Sequence, residues 1–294
     1  MGKRAIPPAG QVGRSNRRHE SISPEAPIPV FVIFRDKLTD LQEFIRAMHE
    51  AVHTPFELVI HDTGSQHQPT LEYLRWLRSN GMKVLNATTE EGMKYRTLDG
   101  SSHAKLIGQH PKAWNFLENT LNSVQESIAK YFHDLQMLGA PIPNFYVVTD
   151  PDISLFDVPG DVMDVLQHVL NLGEASVAAL GLRQDETVEL HGHLQQEMWP
   201  ETLESFKFGA RRIYYIRNAG VDTTFAMYNK NFKFHRANTG VRLSYPYAAR
   251  HLDWYYSNLS HVPEDFRFYL CTCNPICSNG PNVLRRLGLK CGQD

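Results

Sequence analysis

The chain of 294 residues lacks any long apolar run. No uncharged stretch approaches the roughly 18–20 residues of a membrane helix, so no transmembrane segment is expected. The first residues, MGKRAIPPAG, have no apolar core of a secretory leader, and Ile6 stands where a myristoylation signal needs Ser or Thr. Charge of one sign is also missing. Lys and Arg number 30 against 32 Asp and Glu, a net charge of −2, which gives no electrostatic reason to expect a nucleic-acid partner. Only four cysteines occur, Cys271, Cys273, Cys277 and Cys291, all in the last 24 residues. Their spacing lacks the Cys-x2-Cys pair of a structural zinc site. Without a leader, reduced thiols and a cytoplasmic location are expected. There is no Walker A loop, no G-x-G-x-x-G after the first apolar segment and no G-x-S-x-G, so kinase, dinucleotide-dehydrogenase and common esterase readings lose support.

What is present is a soluble globular composition, 42% hydrophobic and 21% charged, with 15 Phe, 12 Tyr and 4 Trp to fill a core. Residues 1–29 read as a solvated tail. They hold five prolines and a net charge of +3 from Lys3, Arg4, Arg14, Arg17 and Arg18 against Glu20 and Glu25. A single domain is expected over 30–270, followed by a cysteine-containing segment, 271–294.

Order begins with the continuous apolar run Val30–Phe34, the pattern of a strand buried on both faces. Thr39 can cap a following helix with Leu41, Phe44, Ile45, Met48 and Val52 on one side. Phe56–Ile60 is a second strand, and Leu71, Leu74 and Leu77 mark a helix stopped by Asn80-Gly81. Met82–Leu85 predicts a third strand, about 113–138 a long helix, and Asn144–Val148 a fourth strand. A helix near 162–169 and strands over 175–180 and 212–216 complete the pattern. Alternating strands and helices predict an α/β fold with a mixed, mostly parallel sheet flanked by helices. In such sheets ligands bind beyond the carboxyl ends of the strands. Three of the first four strands end in acid: Asp36, Asp62 and Asp150.

Val148-Thr149-Asp150-Pro151-Asp152 is the most informative segment. Residues i and i+2 of an extended chain face the same side, and Pro151 biases Asp150 towards extended geometry. Two hard oxygen ligands on one side suit Mg2+ or Mn2+, which keep positions open for phosphate. The bland alternative is an Asx turn or a helix cap at Asp152.

PVFVIFRD, LVIHDTGS and FYVVTDPDI together resemble the GT-A fold (Rossmann-like) nucleotide-sugar glycosyltransferases, the family 2-like group in particular, over about residues 28–255. LGLRQDE, NAGVDTTFAMY and YPYAARHLDWY are similar to stretches of a bacterial subgroup of such enzymes. The resemblance implies a transfer of sugar from a UDP- or GDP-sugar to a carbohydrate or other hydroxyl acceptor, with inversion favoured. It implies that Asp62 contacts the nucleobase, that Asp150 and Asp152 hold the metal against the donor diphosphate, and that His251 completes the metal shell. Arg35, at the end of the first strand, and Arg250 join the donor set. Where the family often has a second acid after Asp62, this chain has Thr63-Gly64-Ser65. The general base falls to Asp222, after a strand and beside Gly220, with Asp185 as rival. Tyr247 and Trp254 can stack on a sugar.

A competing reading is literal: His49-Glu50-Ala51-Val52-His53 is HExxH, with Glu72 19 residues beyond His53. On one helix face that pattern builds a zinc peptidase. Against it, Thr54-Pro55 ends the helix at the second His, and the helix is required as a cover for the sheet. A third reading is a non-catalytic nucleotide-sugar-binding relative.

Overall fold

The computed structural model describes residues 26–86, 111–173, 175–183, 203–234, 238–272 and 280–291. The elements in chain order are β1 (Ile28–Phe34), α1 (Leu38–Ala51), β2 (Phe56–Asp62), α2 (Gln68–Ser79), β3 (Lys83–Asn86), α3 (Pro111–Met137), β4 (Phe145–Thr149), β5 (Ile153–Ser154), α4 (Val162–Asn171), β6 (Val177–Ala179), β7 (Gly181–Leu182), β8 (Glu204–Phe208), β9 (Arg211–Val221), β10 (Ala226–Asn229), β11 (Asn238–Leu243), β12 (Ala248–His251), α5 (Glu264–Thr272) and α6 (Gly280–Leu287). Among the described residues, nine strands form one sheet in the order β3-β2-β1-β4-β10-β6-β11-β9-β8. The first four pair in parallel, as the β-α alternation predicts. β10 then enters antiparallel between β4 and β6, and the far edge is the antiparallel β11-β9-β8 meander. The sheet is therefore mixed, with helices on both faces. β5, β12 and β7 make a smaller sheet.

The strand alternation sorts the core into two layers. Val30, Val32 and Phe34 face one side with Leu58, Ile60 and Val147, under α1, α2 and α4. Phe31, Val59, Tyr146 and Val148 face the other, against Val124, Ile128 and Tyr131 of α3. Both faces are covered, so the central strands read as continuous apolar runs rather than alternating ones. Fully buried aromatics lock the second layer: the rings of Tyr146 and Tyr228 stack 5.2 Å apart, and Phe31 meets Tyr131 edge-on. At the end of α2, Gly81 adopts φ +86°, the left-handed conformation that the Asn80-Gly81 stop predicts.

Two local expectations give way to long-range contacts. Thr39 does not cap α1; Lys37 holds the N-cap position, without a side-chain cap. Asp265 of α5 does the capping, accepting from the Thr39 amide (2.8 Å) and its hydroxyl (2.7 Å). Reduced thiols were expected, yet Cys271 and Cys291 form a disulfide. α5 and α6 pack through Phe266, Leu270, Val283 and Leu287 and bring the two Cα atoms to 5.2 Å, a bridging distance. Cys273 and Cys277 lie outside the described residues, as does most of the 1–29 tail. No helix among the described residues is long and apolar enough to cross a membrane.

His61, near the end of β2, is a buried residue between sheet and α3. Its ring nitrogens meet the hydroxyls of Ser123 (3.2 Å) and Ser127 (3.1 Å), which serve a neutral imidazole as acceptor and donor. Burial holds its pKa down to about 4, although Asp62 pulls the other way. The unfolded imidazole titrates near 6.5, so between those values the unfolded chain binds more protons and stability falls as pH falls. Denaturant unfolding should therefore show about 2 kcal/mol less stability from this group at pH 5 than at pH 7.5. His61→Asn should remove that part of the slope; an unchanged slope would show that the titration lies elsewhere.

Candidate active site

The acidic ends of the first strands have different tasks. Asp36, just past β1, has φ +53° and is fully buried. Its Oδ1 accepts from the amides of Gln66 (2.6 Å) and His67 (2.9 Å), just ahead of α2. Burial raises its pKa despite these donors. Asp62, which ends β2, folds back on its own turn: Oδ1 accepts from the Ser65 amide (2.8 Å), the Ser65 hydroxyl (2.7 Å) and the Gly64 amide (3.2 Å). The Ser65 hydroxyl also accepts from the Asp36 amide, so Thr63-Gly64-Ser65 joins the two strand ends. Arg35 reaches the carbonyl of Thr272 at the end of α5 (3.3 Å) and lies 3.8 Å from Asp36.

The loop after β4 carries the two remaining aspartates in different directions. Asp150 faces β10: its carboxylate accepts from the hydroxyl of Thr223, and its amide donates to the Thr223 carbonyl (2.8 Å). Asp152 turns inward and is buried. Immediately after it, β5 pairs with β12, so that Ile153 opposes His251, and Leu252 donates its amide to the Asp152 carbonyl. That register is what places His251 beside Asp152, with Nδ1 3.7 Å from Oδ2. The imidazole lies flat on Trp254, ring centres 5.1 Å apart. Ligand atoms of Asp152, His251 and Asp253 lie within 4.8 Å of one another, a set of two oxygens and a nitrogen.

A lysine fills the interior of this set. Lys37, between β1 and α1, donates to Asp152 Oδ2 (2.6 Å) and to both carboxylate oxygens of Asp253 (2.9 Å each). The rings of Phe266 and Tyr269 lie 4.8 and 4.9 Å from its ammonium. Burial disfavours the ammonium, but Asp152 and Asp253 outweigh it and keep Lys37 charged. Burial also opposes the charge of Asp152; His251 and Lys37 overcome it and hold this carboxyl well below the usual range. Asp40 and Asp253 go the other way, driven up by burial. Lys37, Asp40 and Asp253 are members of the site that no local pattern marks. Asp253 alone had a clue, two residues beyond His251.

Asp222 lies at the end of β9, its side chain half-exposed. Arg242 of β11 donates to its Oδ1 (3.0 Å), as does the Thr224 hydroxyl (2.8 Å). Burial raises its pKa, but Arg242 prevails and the net shift is downward; His251 contributes to it. Arg242 is itself fixed by the carbonyls of Gly220 (2.7 Å) and Leu180 (2.9 Å). Arg250, next to His251, faces away: with Arg183 it meets Asp157, at 3.6 and 2.8 Å. Tyr247 is buried and bonded to Asp161 and Arg211, so it offers no face to a sugar. Asp185 lies outside the described residues.

The HExxH reading is overturned by the helix end. α1 stops at Ala51, and Val52 is already extended (φ −86°, ψ 125°), so His53 is not on the helix with His49. His49 packs on Phe56, Glu50 pairs with Arg46, and the His53 amide donates to Gly160, whose Cα leaves no room for a side chain against the His53 ring. Glu72 pairs with Gln68 and Arg75 on α2.

Whether a divalent cation fits can be judged from the donors. Asp152 Oδ1 and His251 Nδ1 are buried without a hydrogen-bond partner. Orphaned buried acceptors are costly unless something fills them. A carboxylate oxygen beside an imidazole nitrogen suits Mn2+ or Mg2+, so the residues present fit.

No family model matches the chain, and no curated protein matches it. Several solved structures are similar in shape. The structure of Staphylococcus aureus TarS 1-349 is 13% identical, with TM-score 0.42, over 83% of this chain and 63% of that one. Glucosyl-3-phosphoglycerate synthase from Mycobacterium tuberculosis, in complex with Mn2+ and UDP-glucose, is 14% identical with TM-score 0.36, over 70% of this chain and 56% of that one. The mannosyltransferase PcManGT from Pyrobaculum calidifontis, in complex with GDP-Man and Mn2+, is 14% identical with TM-score 0.32, over 54% and 39%. The chain thus spans less than two thirds of the length of these relatives. At such identities and scores the likeness assigns this chain neither a family nor a role for any residue.

Proposed function

We propose that the chain is a metal-dependent glycosyltransferase that moves a sugar from a UDP- or GDP-sugar to a hydroxyl acceptor with inversion. The observation that carries this reading is the convergence of Asp152 and His251. They come from segments about a hundred residues apart, lie beyond the carboxyl end of β4, and each keeps a buried donor atom without a partner. A divalent cation held there would stabilise the charge that develops on the departing nucleoside diphosphate.

The rest falls to the chain's own side chains. Asp152 is kept ionised by the ammonium of Lys37, and so is ready to bind a cation. Trp254 fixes the imidazole plane of His251. Asp150, on the opposite side of the same loop, orients the Thr223 segment that leads from Asp222 into β10. Asp222 is the general base in this reading: it is anionic, half-exposed, and held by Arg242 and Thr224 so that the acceptor proton has a fixed destination. Asp185 is the rival for that role. Arg35 and Asp62 serve the donor from the ends of β1 and β2, while Arg250, paired with Asp157, is left out of the donor set.

Thermal-shift measurements with UDP-, GDP- and CMP-sugars, with and without Mn2+, test the reading and select the donor, since a ligand that binds the native state raises its melting temperature. Stabilisation by one nucleotide class, dependent on Mn2+, is expected. Indifference to all three would defeat the proposal, and binding without turnover would make the chain a binding module. Asp152→Asn should weaken Mn2+-dependent donor binding more than ten-fold while the far-ultraviolet circular dichroism is kept; unchanged titration heats would remove Asp152 from the site. Asp222→Asn should bind donor normally and lose transfer by about a hundred-fold or more, within the usual range for general-base loss. An active variant would move the base to another residue.

A further inference from the structure

Lys37 is a cation already seated among the carboxylates. Its ammonium engages both oxygens of Asp253 and one of Asp152, under the rings of Phe266 and Tyr269. It cannot leave cheaply, because α1 starts at the next residue and three buried aspartates surround it: Asp40, Asp152 and Asp253. Asp253 is fixed from a second side, its carbonyl accepting from Arg286 of α6 (2.7 Å). Asp152 has one oxygen committed and the other, Oδ1, buried and unpartnered, as is Nδ1 of His251.

Resting on the transfer reading above, we propose that Lys37 is the resident counter-cation of the site. It takes Asp253 out of the donor set, so that a divalent ion finds only Asp152 and His251 and is held firmly only when a nucleoside diphosphate completes its shell. Mn2+ and Mg2+ prefer six ligands, and two from the protein leave most positions to water and phosphate. The ammonium adds a fixed repulsion of an incoming dication, which an anionic diphosphate offsets. Cation and nucleotide therefore strengthen each other's binding by the same factor, as linkage requires. Lys37 is a positioning residue in this scheme, acting through Asp152 and Asp253.

The test is the affinity of the whole chain for Mn2+, followed by electron paramagnetic resonance, alone and with UDP or GDP. Mn2+ alone should bind weakly, and about ten-fold or more tighter with the nucleotide that fits. Lys37→Met should tighten binding of Mn2+ alone about ten-fold or more and shrink the gain from nucleotide. A merely structural lysine would lower stability and leave that gain unchanged, so a folded Lys37→Met protein with wild-type Mn2+ affinity and wild-type gain overturns the proposal. If the variant does not fold, crystals of the unaltered protein soaked with Mn2+ and UDP or GDP decide. An anomalous peak on Asp152 and His251 with Lys37 still on Asp253 supports the proposal; an Asp253 oxygen in the Mn2+ shell overturns it and leaves the transfer reading standing. Absence of Mn2+ from Asp152 in every case sinks both.

Discussion

The ammonium of Lys37 joins three stretches that lie far apart in the chain. It follows the first strand, reaches Asp152 in the loop after β4, and reaches Asp253 beyond β12. A lysine is almost never fully buried without partners, and removing one member of such a group typically costs about 3–5 kcal/mol because a charge is left stranded. The ion pairs thus constrain what surrounds them. α1 must begin where it does, the loop after β4 must turn Asp152 inward, and the turn after His251 must bring Asp253 underneath. The antiparallel pairing of β5 with β12 sets the same distances through the backbone.

The two aspartates of the D-x-D segment illustrate how one loop divides its work. Had both pointed the same way, as an extended chain implies, two carboxylates would share the cluster with Asp253 and Asp40. Lys37 would then face four acids with one charge. Instead Asp150 turns to the Thr223 hydroxyl, and the acid count near the lysine stays at three. Of those three, burial raises Asp40 and Asp253, while Asp152 is held down. The firm negative charge is thereby placed at Asp152, which lies 3.7 Å from the imidazole of His251.

Much of the sheet was legible in the residues because its signals are local. Val30–Phe34 and Asn144–Val148 read as buried strands since helices cover both sides, and Gly81 ends α2 because the turn needs a positive φ. Asp152 and His251 were expected together from the strand context and from a resemblance, and they lie 3.7 Å apart. Lys37 and Asp40 were not, since a lysine and an aspartate at a helix start look like an ordinary solvated terminus. What makes Lys37 part of the cluster is contact across 115 and 216 residues, which no spacing rule encodes. The same holds for α1, where a serviceable local cap, Thr39, yields to Asp265, 226 residues away. HExxH failed for the converse reason: its spacing is local, but it means something only if the helix persists through the second histidine.

The C-terminal helices lie on both sides of residue 271, where the cysteines suggested a further segment. α5 and α6 both reach the surroundings of Lys37. Phe266 and Tyr269 cover the Lys37 ammonium, Asp265 caps α1, Thr272 receives Arg35, and Arg286 holds the Asp253 carbonyl. Each contact ends on a group within three residues of Lys37 or on Asp253 itself. The Cys271–Cys291 bridge ties together the two helices that make them. Cross-linking the pair limits how far α6 can stray when it separates from α5, and so keeps Arg286 near Asp253. The water-excluding lid over the ammonium is thus built from the part of the chain farthest in sequence from β1, and the strength of the buried ion pairs depends on that lid staying shut.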